Sequence, residues 1–304
     1  MKTIPVLAAT LLASCSLHVN ANSPVSVAVE SNINPLIQEL IQAKELELST
    51  LSTANIAESM ISRSAKVGIS SRKWTDIEMA RFNQRYGYRP TELLFTADVV
   101  AIIANEDNFA DSITLAELRG VFGCSSQPEL LRWAKHGDTN DEVPAYMLPF
   151  AVDQDLTMHR KFSSWITCKE GEYVNTQYLA TTDDLLEKVD SEESAIGYAV
   201  YSEQIEETKW LSVVDDMGVT YDVNKETILS GRYPIANVYY MYLDLPPYRD
   251  TFTEQEKFFI GLTLSQEHQD VFNQYGFISL PEEAIHRNKV RLSLADPIIE
   301  GGYK

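Results

Sequence analysis

Beyond its first residues the sequence has no apolar run close to the roughly 18 residues that a membrane-spanning helix needs. Its start is a short positive stretch followed by the apolar segment Ile4–Leu17, which is too short for a lasting anchor. We therefore predict that residues 1–21 form an export signal that is cleaved after Ala21. Leu12–Cys15 also fits a lipoprotein box, in which Cys15 would be acylated. In both cases the mature chain is expected to work outside the cytoplasm.

Basic residues are few, because 25 Lys and Arg stand against 44 Asp and Glu, for a formal net charge of −19. No cluster of Lys or Arg forms the basic face that a nucleic-acid backbone demands, so a nucleic-acid partner is excluded. The acidic excess helps to keep an exported protein soluble. It does not exclude a small anionic ligand, because backbone N–H groups at helix N-termini bind oxyanions with little help from net charge.

Cysteine is rare as well, with three residues in the whole chain. Cys15 lies in the predicted signal, which leaves Cys124 and Cys168. In an oxidising compartment such a pair is expected to form a disulfide, which stabilises the fold by roughly 4 kcal/mol in the chain-entropy model. Two buried free thiols are the alternative. No motif places a histidine beside either cysteine, so a catalytic thiol is not expected.

The motifs of common enzyme classes are missing. The sequence has no Gly-x-Ser-x-Gly, no His-Glu-x-x-His and no Walker-type phosphate loop. The four histidines that follow the predicted signal are far apart, without the spacing of metal ligands: His136, His159, His268 and His286. We therefore expect a protein that is not an enzyme and that has no cofactor and no metal.

The pattern that the sequence does contain is a repeated alternation of strand-like and helix-like segments. Thr75 with Glu78, and Thr114 before an apolar run, indicate helix starts. The predicted strands are Pro24–Val29, Ala65–Ile69, Val99–Ala104 and Ala195–Tyr201, and the predicted helices are Ile33–Leu48, Thr75–Tyr86, Leu115–Phe122 and Thr182–Val189. This order predicts βαβ units with mainly parallel sheets. The last residues, from Val290, carry no pattern and are expected to form a loose tail.

Eight further segments carry a family signal. They are Ile69–Glu78, Tyr86–Pro90, Thr96–Asp98, Asn105–Asn108, Ile113–Phe122, Ile228–Ile235, Tyr239–Tyr242 and Leu264–Pro281. In the last three, a glycine-tyrosine-proline turn precedes an aromatic strand and then a serine-capped helix. In order and spacing the set resembles the periplasmic phosphate-binding proteins that feed ATP-driven phosphate importers.

The resemblance implies an α/β chain with the type II periplasmic-binding-protein fold, in which two α/β lobes are joined by two hinge strands. Mapped onto this sequence, lobe 1 comprises residues 22–103 and 202–304, and lobe 2 comprises residues 104–201. It also implies a monomer in the periplasm that holds phosphate or a related small oxyanion between its lobes. The partner would be an ABC permease in the inner membrane.

The resemblance further implies a set of ligand-binding residues. A dehydrated oxyanion needs several convergent donors and a carboxylate that accepts a hydrogen bond from any proton the anion retains. Ser31, Ser70, Ser71 and Arg72 are expected to donate, and Asp98 is expected to accept. Four of these residues also have an ordinary structural alternative. Ser31 and Ser70 would cap helices, Arg72 would form a surface ion pair, and Asp98 would be a turn residue.

The sequence departs from the family where the ligand would be held. Glu30–Asn34 replaces a glycine-rich loop and adds a carboxylate. Val152 stands where the second lobe would supply an arginine, and the nearby Asp153 and Asp155 would repel phosphate. Thr157, shifted by one position, is the candidate donor of that lobe in the predicted ligand-binding set, and His159 and Arg160 are the alternatives. These departures leave open a second hypothesis, a degenerate relative that serves as an envelope interaction or sensory protein without transporting phosphate.

Overall fold

The computed structural model describes residues 27–123, 132–133, 146–152, 162–163, 165–166, 176–201, 208–273 and 275–297. The strands in this part of the chain are β1 (Val27–Val29), β2 (Thr50–Ser52), β3 (Val67–Ser70), β4 (Thr91–Ala104), β5 (Ser112–Thr114), β6 (Leu148–Val152), β7 (Gln177–Leu179), β8 (Ala195–Val200), β9 (Lys209–Val214), β10 (Thr220–Tyr221), β11 (Ala236–Leu243) and β12 (Phe277–Ile278). The helices are α1 (Asn34–Ala43), α2 (Ile56–Ile61), α3 (Asp76–Tyr86), α4 (Leu115–Val121), α5 (Thr182–Ser191), α6 (Lys225–Leu229), α7 (Glu254–Gly261), α8 (Gln266–Asn273) and α9 (Glu282–Arg291). None of these helices is both long and apolar enough to cross a membrane.

The first sheet combines the two ends of the chain. Its strand order is β2-β1-β3-β11-β4, with β1 parallel to both of its neighbours and β11 antiparallel to β3 and β4. Helices cover both faces of this sheet. Successive side chains of a strand point to opposite faces, so the apolar residues of β1 pack against a different helix on each side. Val27 and Val29 face the core that contains α1, whereas Ala28 between them faces Ile56 and Met60 of α2.

Strand β4 passes from the first sheet into the second without a break. Its residues Thr91–Val99 pair with β11, and its residues Val100–Ala104 pair with β8. The predicted strand covered only the second of these parts. The first part carries polar residues that are buried by long-range partners, as with Thr96, whose hydroxyl donates to the carbonyl of Ile278 at 2.9 Å.

The second sheet extends from the far end of β4. β8 is antiparallel to β4, and β6 lies parallel between β8 and β7. β9 pairs with β4 at Ile102–Ala104, with β5 in parallel and with β10 in antiparallel orientation. The sheets are therefore mixed, and the prediction of mainly parallel sheets is wrong. The lobe boundary at residues 201 and 202 stays a prediction, and the pairing of β9 favours a return to lobe 1 after β10.

Several helix ends follow from local sequence. The predicted start at Thr75 is confirmed, since its side chain and that of Glu78 form a reciprocal capping box. Thr114 caps α4 in the same way. At the other end of the chain the expected loose tail is wrong in its first two residues, because α9 continues to Arg291.

Candidate functional site

The site begins where two parallel strands end side by side. β1 and β3 are neighbours in register, with Val29 opposite Ile69. The next residues, Glu30 and Ser70, therefore lie at the same edge of the sheet. Such an edge, outside the carboxyl ends of parallel strands, is where open α/β sheets bind ligands.

Three donors converge on the Glu30 carboxylate at this edge. The Ser70 hydroxyl donates to its Oε1 at 2.9 Å, and the Ser71 backbone N–H donates to the same oxygen at 3.1 Å. The Ser71 hydroxyl donates to Oε2 at 2.5 Å. Hydrogen bonds to an ionised acceptor are short and strong. Ser70 and Ser71, both predicted as anion donors, thus hold an oxyanion in this structure, and that oxyanion is a side chain of the chain itself.

Arg72 is directed elsewhere. Its guanidinium donates to both carboxylate oxygens of Glu78, at 2.9 and 2.7 Å, and its side chain is 54% exposed. The hydrogen bonds from Arg72 hold the pKa of Glu78 at about 2, well below its usual range. The pair ties the segment after β3 to the first turn of α3. The surface ion pair, which was the structural alternative for Arg72, is what the structure contains.

Asp98 lies in β4 and is 2% exposed. Its Oδ1 accepts from the Asn237 amide at 2.9 Å, and its Oδ2 accepts from the Tyr239 hydroxyl at 2.6 Å. The Tyr239 hydroxyl in turn accepts from the Asn32 amide at 2.9 Å. Burial, and then the charge of Asp98, raise the pKa of Tyr239 far above its usual range. The alternative of a turn residue is wrong for Asp98, because it belongs to a central strand.

Sequence reasoning missed the partners of this aspartate. Tyr239 belongs to the aromatic strand of the family signal and is fully buried, but that pattern does not indicate what its hydroxyl contacts. The antiparallel register sets Asn237 opposite Asp98. Only that register, which local sequence does not reveal, identifies the pair.

The helix-cap alternative is wrong for both Ser31 and Ser70. Ser31 lies in the exposed turn before α1, whose N-cap residue is Ile33 and whose N-terminus no side chain caps. Ser70 is the last residue of β3. Val152 is fully buried at the end of β6. Thr157, with the two aspartates before it, and both cysteines of the predicted disulfide, Cys124 and Cys168, lie outside the described residues.

A cavity of about 250 Å³ lies beside β4 at the point where it passes between the sheets. Its volume suits a small solute, since pockets for drug-sized ligands start at roughly 300 Å³. The polar or charged residues among its lining are Asn32, Glu39, Asp98 and Tyr275. None of its described lining residues is Lys or Arg, so this cavity by itself offers no cation to an anionic ligand.

A family model for the PBP superfamily domain matches residues 20–267. The chain therefore belongs to the PBP superfamily. Two curated relatives are phosphate-binding proteins PstS. The protein from Pseudomonas aeruginosa is 23% identical over 254 residues, covering 82% of this chain and 78% of its own. The protein from Staphylococcus saprophyticus is 25% identical over 298 residues, covering 92% and 89%. The resemblance to this family, inferred from the eight segments, is confirmed.

Solved structures agree on the fold. A possible phosphate-binding protein from Planctomyces limnophilus superposes with a TM-score of 0.61 at 21% identity, covering 88% of this chain and 97% of its own. PstS from Borrelia burgdorferi superposes with a TM-score of 0.56 at 20% identity, covering 84% and 98%. The predicted α/β type II periplasmic-binding-protein fold is confirmed.

Proposed function

We propose that the chain is an extracytoplasmic solute-binding protein that captures phosphate or a related small oxyanion for an ABC importer. The observation that carries the proposal is the convergence of Ser70 Oγ, Ser71 N and Ser71 Oγ on a single oxyanion at the edge of the first sheet. Membership of the PBP superfamily supports it, as do curated relatives whose names include phosphate binding. No covalent chemistry is part of the proposal.

In this proposal the ligand meets donors from both lobes. Ser31, Ser70 and Ser71 bind it from the first lobe, with Arg72 contributing charge once it leaves Glu78. Asp98, held by its own donors, accepts a hydrogen bond from a proton that the anion retains. Thr157 supplies a donor from the second lobe. Closure occurs by hinge motion about β4 and the return connection between β10 and β11, as in other two-lobed binding proteins.

A second candidate function is a degenerate relative that acts as an envelope interaction or sensory protein. Two observations favour it. The carboxylate of Glu30 already fills the donor set of Ser70 and Ser71. Val152, at the position expected of a second-lobe arginine, is a fully buried apolar residue.

The two candidates are separated by titrating the purified protein with phosphate, sulfate, phosphonates and carboxylates, by thermal shift and calorimetry. A ligand present at about one hundred times its dissociation constant stabilises the folded state by about 2.7 kcal/mol, which moves the melting temperature by degrees. We expect a response to phosphate or another small oxyanion, and we expect Ser71→Ala to weaken it. Ser64→Ala is the matched control, because Ser64 is exposed and its hydroxyl bonds only to the Ser62 hydroxyl in the described part of the chain. If neither measurement detects binding of any of these anions, the second candidate function is favoured.

The export route is a separate part of the proposal. We propose that residues 1–21 are removed and that Cys124 and Cys168 form a disulfide in the periplasm. Intact mass measured before and after reduction and alkylation tests both statements. A start at Asn22 with two alkylation sites exposed only by reduction is expected, whereas a lipid mass on Cys15 would establish the lipoprotein alternative.

A further inference from the structure

We infer that Glu30 acts as an internal anion, which occupies the donor set of Ser70 and Ser71 and competes with any external oxyanion for it. The inference rests on the proposed function, because it concerns the same donors. It gives the first-lobe site a specificity-determining residue that lies outside the predicted ligand-binding set.

The Glu30 side chain occupies all three donors at this edge of the sheet. Both carboxylate oxygens of Glu30 accept hydrogen bonds, and one of them accepts two. A backbone N–H and two hydroxyls are the kinds of donor that bind an oxyanion of phosphate type. An external anion therefore cannot reach all three donors while the Glu30 side chain stays in place.

The hydrogen bonds described for the Glu30 carboxylate all come from uncharged donors. Arg72, which follows Ser71, directs its guanidinium to both oxygens of Glu78 and acts on Glu30 only through space. A phosphate that approached with Glu30 still bound would add like charge at short range, which disfavours its ionised form.

Glu30 lies where its side chain can leave the donors. Glu30 is half-buried and follows the end of β1, and the next two residues, Ser31 and Asn32, form an exposed turn. Its side chain can therefore turn toward solvent without opening the core beneath Val29. An external oxyanion that displaces Glu30 gains hydrogen bonds that the Glu30 carboxylate loses. Its net free energy of binding is therefore smaller than it would be at donors that no carboxylate occupied.

The test compares phosphate affinity by calorimetry in the unchanged protein, Glu30→Gln and Glu30→Ala. Glu30→Gln keeps the shape of the side chain and removes its charge, and Glu30→Ala vacates the donors. Both are expected to bind phosphate at least about tenfold more tightly, because a hydrogen bond to a charged group is worth roughly an order of magnitude or more in an equilibrium constant. Glu47→Gln is the matched control, since Glu47 is exposed, does not line the cavity beside β4 and makes no contact with either serine among the described residues.

A second readout needs no ligand. In ¹⁵N–¹H spectra the Ser71 amide resonance of Glu30→Ala should be displaced from its position in the unchanged protein, because the amide loses its carboxylate acceptor, whereas Glu47→Gln should leave it in place. A Ser71 amide resonance that is not displaced in Glu30→Ala overturns the inference whatever the calorimetry shows. If the unchanged protein binds phosphate and the Glu30 variants bind it no more tightly, the inference is overturned and the proposed function stands. If no protein binds any oxyanion, both are overturned.

Discussion

The Tyr239 hydroxyl donates to Asp98 at 2.6 Å while it accepts from Asn32 at 2.9 Å. This single hydroxyl joins β11, the strand β4 that passes between the sheets, and the turn that precedes α1. The turn that follows Glu30 is thereby held at a fixed position relative to β4. The arrangement couples the proposed donor set to the proposed hinge through a buried polar network.

Tyr239→Phe should weaken this network. The change leaves the buried Asp98 carboxylate without one of its donors, which costs about 1–3 kcal/mol of the free energy of unfolding. Urea unfolding measures the effect. Tyr240→Phe is the control, because the Tyr240 hydroxyl forms no hydrogen bond in the described structure. This substitution should leave the free energy of unfolding nearly unchanged. Equal losses in the two variants would contradict the role given to the Tyr239 hydroxyl.

Glu78→Gln should change how stability depends on pH. The pKa of Glu78 lies at about 2 in the folded protein, below its ordinary 4.5, because Arg72 donates to it. Its stabilising contribution is therefore fully present above about pH 4.5 and is lost as the pH falls toward 2. Because the pair is partly exposed, we expect a difference of only about 1 kcal/mol at neutral pH.

The measurement is the free energy of unfolding of both proteins between pH 2 and 7. The difference in the free energy of unfolding between the two proteins should become smaller in the acidic part of this range. Glu47→Gln serves as the control, since Glu47 is exposed and forms no ion pair in the described structure. A gap of constant size across the range would show that the cap, and not the charge of Glu78, is what the substitution removes.

Asn288→Asp should destabilise the first lobe. The buried Asn288 amide donates to the carbonyls of Leu94 at 2.8 Å and of Thr263 at 3.0 Å. An aspartate there faces two carbonyl oxygens without a proton to share, at a cost of about 3 kcal/mol or more. Chemical denaturation reports the loss, and Asn83→Asp on the exposed face of α3 should change stability little. A loss no larger than that of the control would refute the bridging role of Asn288.

Gly68→Ala tests the packing of α2 against the first sheet. A Cβ atom at this position would lie 2.5 Å from Ile56 Cγ2 and 2.6 Å from Met60 Sδ. Such overpacking costs typically about 1–3 kcal/mol. In Gly261→Ala the added methyl would meet nothing closer than His268 Nδ1 at 4.0 Å, so that variant should be neutral or slightly stabilised. A shift in melting temperature for the first variant alone is the expected result.

Features that depend on neighbouring residues could be predicted from the sequence. The capping boxes at Thr75 and Thr114 are local patterns of a hydroxyl and a carboxylate three residues later, and both are present. The family resemblance rested on eight short segments, and it identified the fold correctly. Ser70 and Ser71 were predicted to donate to a bound anion, which stays a prediction, and in the structure they donate to Glu30.

Features that depend on strand register could not be predicted. The contact between Glu30 and Ser70 joins residues 40 apart in sequence, and it follows only once β1 and β3 are known to be parallel neighbours. The carboxylate of Glu30 was noticed as a departure from the family, but its partners were not. The pairing of β9 with β4 was missed for the same reason.

The most direct test of the account is the phosphate affinity of Glu30→Gln compared with that of the double variant Glu30→Gln/Ser71→Ala. With the internal anion neutralised, we expect the first protein to bind phosphate and the second to bind it about tenfold more weakly or worse, because a charge-assisted hydrogen bond is lost. Equal affinities, or no binding by Glu30→Gln, would contradict the claim that Ser70 and Ser71 form an oxyanion site.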